Sequence, residues 1–234
     1  MKKNPREHIW NLLEKGESIE LLKRAAVLHG HYCPGLALGV NASVTAFSEL
    51  GLEHSGLEDV LVVVETNNCF SDGVQYVTGC SFGNNSLIFR DLGKTAATFV
   101  KRGNKGLRLL TKSDAREEWA GRFSEYGELF SKVVKERKGT EEDRARMMEM
   151  AQDISKFVVN IESEKLFEMK TADVELPDYA PINDSYTCDN CGESVMSTRT
   201  VERDGRTYCL LCGGGEYFEL NGHGMRRRGG KNEK

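Results

Sequence analysis

The 234-residue chain contains no apolar run approaching the roughly 18 residues that a membrane span requires. Its first ten residues, MKKNPREHIW, lack the apolar stretch and small-residue cleavage site of a signal peptide. A cytoplasmic protein is the expectation. There is no excess of positive charge: the net charge is −4, with 32 basic against 36 acidic residues, which argues against a surface built throughout to neutralise phosphate. Also absent are a dinucleotide fingerprint, an iron–sulfur cysteine run and a P-loop; Gly103-Asn-Lys-Gly106 lacks the G-x-x-x-x-G-K-[ST] order and reads as a turn. No Ser/His arrangement resembles a nucleophilic triad. The seven cysteines are an odd number, and four of them lie in metal-type spacing, so a disulfide framework is not expected in a reducing compartment. Metal chemistry is the question that remains.

The apolar pattern predicts an α+β protein. Ser18 opens a helical pattern with Leu21, Leu22, Ala25 and Leu28 inward, ended by Gly30. Pro34 suits the first position of a second helix, 34–50, whose Gly35, Ala37, Gly39 and Ala42 permit close packing against a neighbour. The β-branched run within 59–66 predicts a central strand covered on both faces, followed by a turn and a short helix capped by Ser71 or Asp72 and running through Val77. Shorter strands are expected at 86–90, 95–101 and 106–111, amphipathic helices at 114–137 and 141–163, and an edge strand at 166–176. The domain reading is a core at 1–176, a linker at 177–184, a zinc-binding module at 185–222 and a mobile basic tail at 223–234 containing Arg226, Arg227 and Arg228.

The strongest chemical signal is C-terminal. Cys188-Asp-Asn-Cys191 and Cys209-Leu-Leu-Cys212 are two C-x-x-C units separated by 17 residues, a four-cysteine zinc spacing. Four thiolates close a tetrahedral shell and leave no position for substrate, so this site serves folding rather than catalysis. A dithiol redox pair is the alternative, but redox work does not need two such pairs. The residues 198–208 read as a hairpin turning at Asp204-Gly205. Treble-clef and ribbon arrangements both remain open on spacing.

A second concentration, His29-Gly-His31-Tyr-Cys33-Pro34-Gly35, places two imidazoles and a thiol within five residues. In extended backbone His31 and Cys33 point the same way, and a cysteine preceding a helix has its thiolate favoured. Read alone, His29 could instead cap its helix and Cys33 could be a small buried hydrophobe. With Cys69-Phe-Ser-Asp72-Gly-Val-Gln75-Tyr-Val-Thr78-Gly79-Cys80 and Asp91-Leu-Gly93-Lys94-Thr-Ala96 added, the chain over about 19–110 resembles FmdE, a family associated with formylmethanofuran dehydrogenase. The appended four-cysteine module resembles the treble-clef finger of its two-domain members. Where the usual motif has Ala-Ile or Ala-Val after the aspartate, this chain has Gly73-Val74, a change in packing more than in chemistry.

The resemblance implies a thioredoxin-like α+β core with a mixed sheet flanked by helices, a cleft holding the His-Cys motif, and a homodimer. It places His29, His31 and Cys33 beside Cys69, with Asp72, Gln75, Lys94 and Cys80 nearby. The preferred cleft ligands for zinc or another transition metal are His31, Cys33 and Cys69, leaving one open position; His29 and Cys80 are in reserve. Lys94 is as readily a solvated turn lysine. The implied role is a metal-binding accessory protein linked to molybdenum- or tungsten-dependent one-carbon metabolism, with components of such an oxidoreductase as partners and no independent catalysis expected. The competing reading is a zinc-finger interaction or regulatory module, binding protein or nucleic acid, whose core senses thiols or metal. Nucleic acid is disfavoured, because Lys101, Arg102, Lys105, Arg108 and Lys112 lack interleaved aromatics.

Overall fold

A computed structural model of the chain describes residues 4–52 and 58–230. It divides into two compact units, Met1–Leu176 and Pro177–Lys234. In the first, helices α1 (Glu7–Glu14), α2 (Ser18–His29) and α3 (Pro34–Leu50) precede strand β1 (Val60–Val64) and helix α4 (Cys69–Thr78). Strands β2 (Leu87–Phe89), β3 (Ala96–Lys101) and β4 (Gly106–Thr111) follow, then helices α5 (Glu117–Ala120), α6 (Ser124–Phe130), α7 (Glu141–Val158) and α8 (Ser163–Leu166), and strand β5 (Phe167–Ala172). The sheet order is β2-β1-β3-β4-β5, with β1/β2 parallel and the other pairs antiparallel. The expected α+β class with a mixed sheet is therefore what the chain adopts.

All five β1 residues are buried, as a strand covered on both faces must be. Against the sheet lies α3, whose inward residues Leu36, Val40 and Ala46 are fully buried. It crosses α4 at backbone contact. A Cβ on Gly39 would stand 2.0 Å from the Phe70 carbonyl oxygen, and one on Gly73 would stand 2.5 Å from that of Leu36. Facing glycines thus set the crossing distance. Because Cys33 precedes α3 and Cys69 opens α4, the crossing brings the two thiols to one end of the helix pair. Two long-range caps hold the helices: the Arg6 guanidinium donates to the Tyr76 and Val77 carbonyls at 2.6 and 2.8 Å, and the Asn41 amide donates to those of Val159 and Ile161 at 3.2 and 2.9 Å.

The helix expected over 114–137 is broken. It consists of α5, α6 and a π-helical turn at Ser131–Lys135. Gly121 and Gly127 weaken a continuous helix, and Phe123 at the break turns inward against both apolar clusters of this unit. The cap of α4 also differs from the expectation. Asn68, not Ser71 or Asp72, accepts the Phe70 N–H at 2.9 Å, while Ser71 donates to the Thr66 carbonyl at 2.7 Å.

The second unit contains hairpins β6 (Ser185–Thr187)/β7 (Ser194–Met196) and β8 (Thr200–Arg203)/β9 (Arg206–Cys209), helix α9 (Leu210–Gly213), and hairpin β10 (Glu216–Asn221)/β11 (Gly224–Gly229). The last corrects the expectation of a mobile tail from 223. Arg227 and Arg228 pair with Glu216 and Glu219 on the adjacent strand, and Asn221 Oδ1 accepts the His223 N–H across the Gly222-His223 turn. Residues 231–234 of that expected tail lie outside the described residues.

Candidate metal centre

The finger site is assembled from a knuckle and a helix start. In the knuckle Gly192 turns the chain, its N–H bonding the Cys188 carbonyl at 2.9 Å. Cys209 caps α9, its sulfur accepting the Cys212 N–H at 3.4 Å, and Cys188 sulfur accepts the Cys209 N–H at 3.3 Å. The Asn190 amide donates to the Cys212 sulfur at 3.3 Å. These donors favour thiolates, and backbone N–H groups, first that of Cys191 and then that of Cys209, pull the Cys188 thiol down to about 6. The four sulfurs lie within 4.8 Å of one another, a spread that a tetrahedral Zn–S shell at about 2.3 Å accommodates.

The core site is built where α2, α3 and α4 meet. His29 is the last residue of α2, and Gly30 follows in the left-handed region at φ 90°, which only glycine adopts freely. The chain therefore doubles back, and the His29 and His31 rings stand 4.3 Å apart between centroids. Cys33 is extended, at φ −154°, and caps α3; its sulfur accepts the Leu36 N–H at 3.4 Å. The ligand atoms of His29, His31 and Cys33 all lie within 4.8 Å of one another. Cys69 is not in that set, yet its thiol hydrogen-bonds the side chains of both Cys33 and His29.

His29 is oriented from behind. Its Nδ1 donates to Asp72 Oδ2 at 2.7 Å, Asp72 Oδ1 accepts from the Gln75 amide at 3.3 Å, and His29 Nε2 then faces the Cys33 sulfur at 3.6 Å. A carboxylate fixing one ring nitrogen so that the other presents its lone pair is the usual support of a metal-binding imidazole. The two thiols behave as one unit. Their mutual hydrogen bond, ahead of desolvation, raises Cys33; the same bond, aided by His29 and His31, lowers Cys69 to about 6. A mixed N/S donor set of this kind suits zinc and other borderline-soft divalent metals.

Of the remaining residues singled out in the sequence, Cys80 lies away from the cluster. It is fully buried, donates to the Val60 carbonyl at 3.5 Å, and is pushed up to about 12 chiefly by burial. Lys94 lies in the loop over the C-terminal end of β1, its backbone N–H on the Glu65 carbonyl at 3.0 Å, with Thr95 beside it accepting from Asn68 at 3.2 Å. Sequence reasoning missed Tyr126. Its phenol on α6 is pushed up to about 12 by burial and by the neighbouring Cys33 and Cys69, which places it against the thiol pair. Its position 57 residues beyond Cys69, in a stretch readable only as amphipathic, gave no signal. His31 lines a surface groove of about 440 Å³ with Val27, Tyr32, Met148, Glu149 and Gln152.

An α+β core with a clustered imidazole–thiol site, followed by a four-cysteine finger, defines a two-domain metal-binding protein. Residues 28–168 match the family model described as FmdE, molybdenum formylmethanofuran dehydrogenase operon, and the chain belongs to that family. Residues 184–218 match the prokaryotic dksA/traR C4-type zinc finger. A crystal structure of a protein from Syntrophus aciditrophicus, described as FmdE-like and of the tungsten formylmethanofuran dehydrogenase type, has the same fold, with TM-score 0.52 and 22% identity over 84% of this chain and 92% of that one. A protein of Archaeoglobus fulgidus described as a probable S-adenosyl-L-methionine-binding protein is 41% identical over 210 residues, 88% of this chain. The chain spans 55% of that relative's length. Among the described residues no helix is long and apolar enough to cross a membrane.

Proposed function

We propose that this chain is an accessory protein of molybdenum- or tungsten-dependent one-carbon metabolism that holds a transition metal, zinc by its donors, at His29, Cys33 and Cys69, with His31 at the mouth and Cys80 taking no part. The observation that carries the reading is the Gln75–Asp72–His29 chain of hydrogen bonds, which aims an imidazole nitrogen at the Cys33 sulfur. His29 thereby takes the place beside the thiols that the sequence assigned first to His31. Three protein ligands leave one coordination position open, and a metal there polarises a bound oxygen or nitrogen group. Tyr126 covers the site, and Lys94 at the sheet end offers a charge to an anionic partner group. The partners we propose are components of the pterin oxidoreductase, with the chain a homodimer in the cytoplasm.

Metal analysis tests this directly. The purified chain should carry about two ions, one per site, and the Cys33→Ser, Cys69→Ser variant about one. A wild-type content of one ion, unchanged in the variant, overturns the core site. Size measurement in solution checks the dimer, and co-purification with the oxidoreductase components checks the partners.

A second reading rests on the groove beside His31. Its floor of Val27, Tyr32 and Met148 and its rim of Glu149 and Gln152 offer apolar, aromatic and acceptor groups to an adenosyl compound, the ligand class in the Archaeoglobus fulgidus relative's description. Calorimetry with S-adenosylmethionine separates the two readings. Nucleic acid is not the partner we propose: Arg108, Arg227 and Arg228 are each tied to a glutamate.

A further inference from the structure

Of the seven cysteines, four cluster in the finger and Cys80 is sealed in the core; Cys33 and Cys69 alone form a half-buried thiol pair. They come from positions 36 residues apart, and the glycine crossing of α3 and α4 keeps them together. Gly35 packs against both: a Cβ there would stand 3.2 Å from Cys69 Cβ and 4.0 Å from the Cys33 sulfur. The pair shares a hydrogen bond, and each sulfur sits at the first turn of a helix of at least ten residues. Two thiols in hydrogen-bond contact lie close to the Cα and Cβ separations that a disulfide requires, so closing the bond asks little of the backbone. Partial exposure admits a small disulfide to them.

We propose that, when the core site is free of metal, Cys33 and Cys69 form a dithiol that exchanges with a low-molecular-weight disulfide and closes to a Cys33–Cys69 disulfide. The proposal uses the side chains of the metal reading but does not depend on metal binding there. One protein thiolate attacks a sulfur of the substrate disulfide; that S–S bond breaks, a mixed disulfide forms, and the first substrate thiolate departs. The second protein thiolate attacks the protein-side sulfur of the mixed disulfide and releases the second. The two protons lost by the protein thiols end on the two departing thiols. The protein pair loses two electrons and the substrate disulfide gains them.

The probe is glutathione disulfide, added to the reduced full chain with and without prior zinc loading, with intact mass read out and proteolysis at Glu65, which lies between the two cysteines. Without loading, a Cys33–Cys69 cross-link with no retained glutathione is expected, and each single serine variant should hold one glutathione on the remaining cysteine of the pair. Stable glutathione adducts on both Cys33 and Cys69 of the wild type, or two thiols left free in unloaded protein, overturn the proposal. Zinc loading should slow the cross-link at least about tenfold, as ligation ties up the attacking thiolates. Equal rates with and without zinc would count against the core metal and leave the dithiol chemistry standing.

Discussion

At the scale of single residues, Glu65 shows how a charge is kept at the buried end of the central strand. It is 6% exposed, and Arg108 grips its two oxygens at 2.6 and 2.7 Å. Those bonds, with Lys94 and Arg90 adding, hold its carboxyl below the ordinary value of 4.5. A carboxyl depressed on folding contributes stability in full above the unfolded value, and the contribution is lost as pH falls through the lower folded value. Replacing Arg108 by Leu leaves the carboxylate buried and unpaired, at a cost of about 3 kcal/mol near pH 7. The deficit should shrink toward pH 3, where Glu65 is protonated in the variant, and denaturant unfolding across that range measures it. A deficit independent of pH would mean that packing of the Arg108 stem, not charge, sets the effect. The same contrast between local and distant signals governs what could be read in advance. Cys33, Cys69 and Asp72 stand in short motifs and were legible; the Asp72–His29 bond spans 43 residues and depends on the helix crossing.

At the scale of elements, β1, α3 and α4 were readable because each has a one-sided or continuous apolar pattern that its burial explains. The segment 114–137 was not, because its charges and apolar spacing satisfy a helix while its glycines and Phe123 divide it. The α3–α4 crossing is the element on which the core site depends. Gly73 faces the Leu36 carbonyl and the Val40 N–H so closely that a methyl group would force the helices apart. Gly73→Ala should therefore cost about 1–3 kcal/mol despite the better helix propensity of alanine. The same variant should weaken metal at Cys33 and Cys69, since both ligands ride on the displaced helices. A stable variant with unchanged metal content would show that the helices can shift without moving the thiols. The neighbouring Asp72→Ala change removes the support of His29 and should lower core metal affinity about 10–100-fold, leaving thermal stability nearly unchanged.

For the whole molecule, the two units draw on different sources of stability. The first has a continuous apolar core running from Ile9 to Phe167, with fully buried Leu21, Leu36, Phe70 and Phe99. In the second, Cys188 is the only buried apolar side chain among the described residues, and the rest is short hairpins with Phe218 and Leu211 largely exposed. A unit with so little core needs a metal to fold, and the four sulfurs are placed to hold it. The C-x-x-C spacing made this legible from the start. The β10/β11 hairpin was hidden because an arginine run reads as solvated until its partners are known, and those partners lie on the strand before it. The Cys188→Ser, Cys209→Ser variant should thus lose about one zinc and the amide protection of 185–229, while β1 and β3 keep theirs. Hydrogen exchange of the full chain distinguishes the outcomes. Retained protection in the β8/β9 hairpin after loss of the metal would mean that its few apolar contacts suffice, and that the four-cysteine site serves something other than folding.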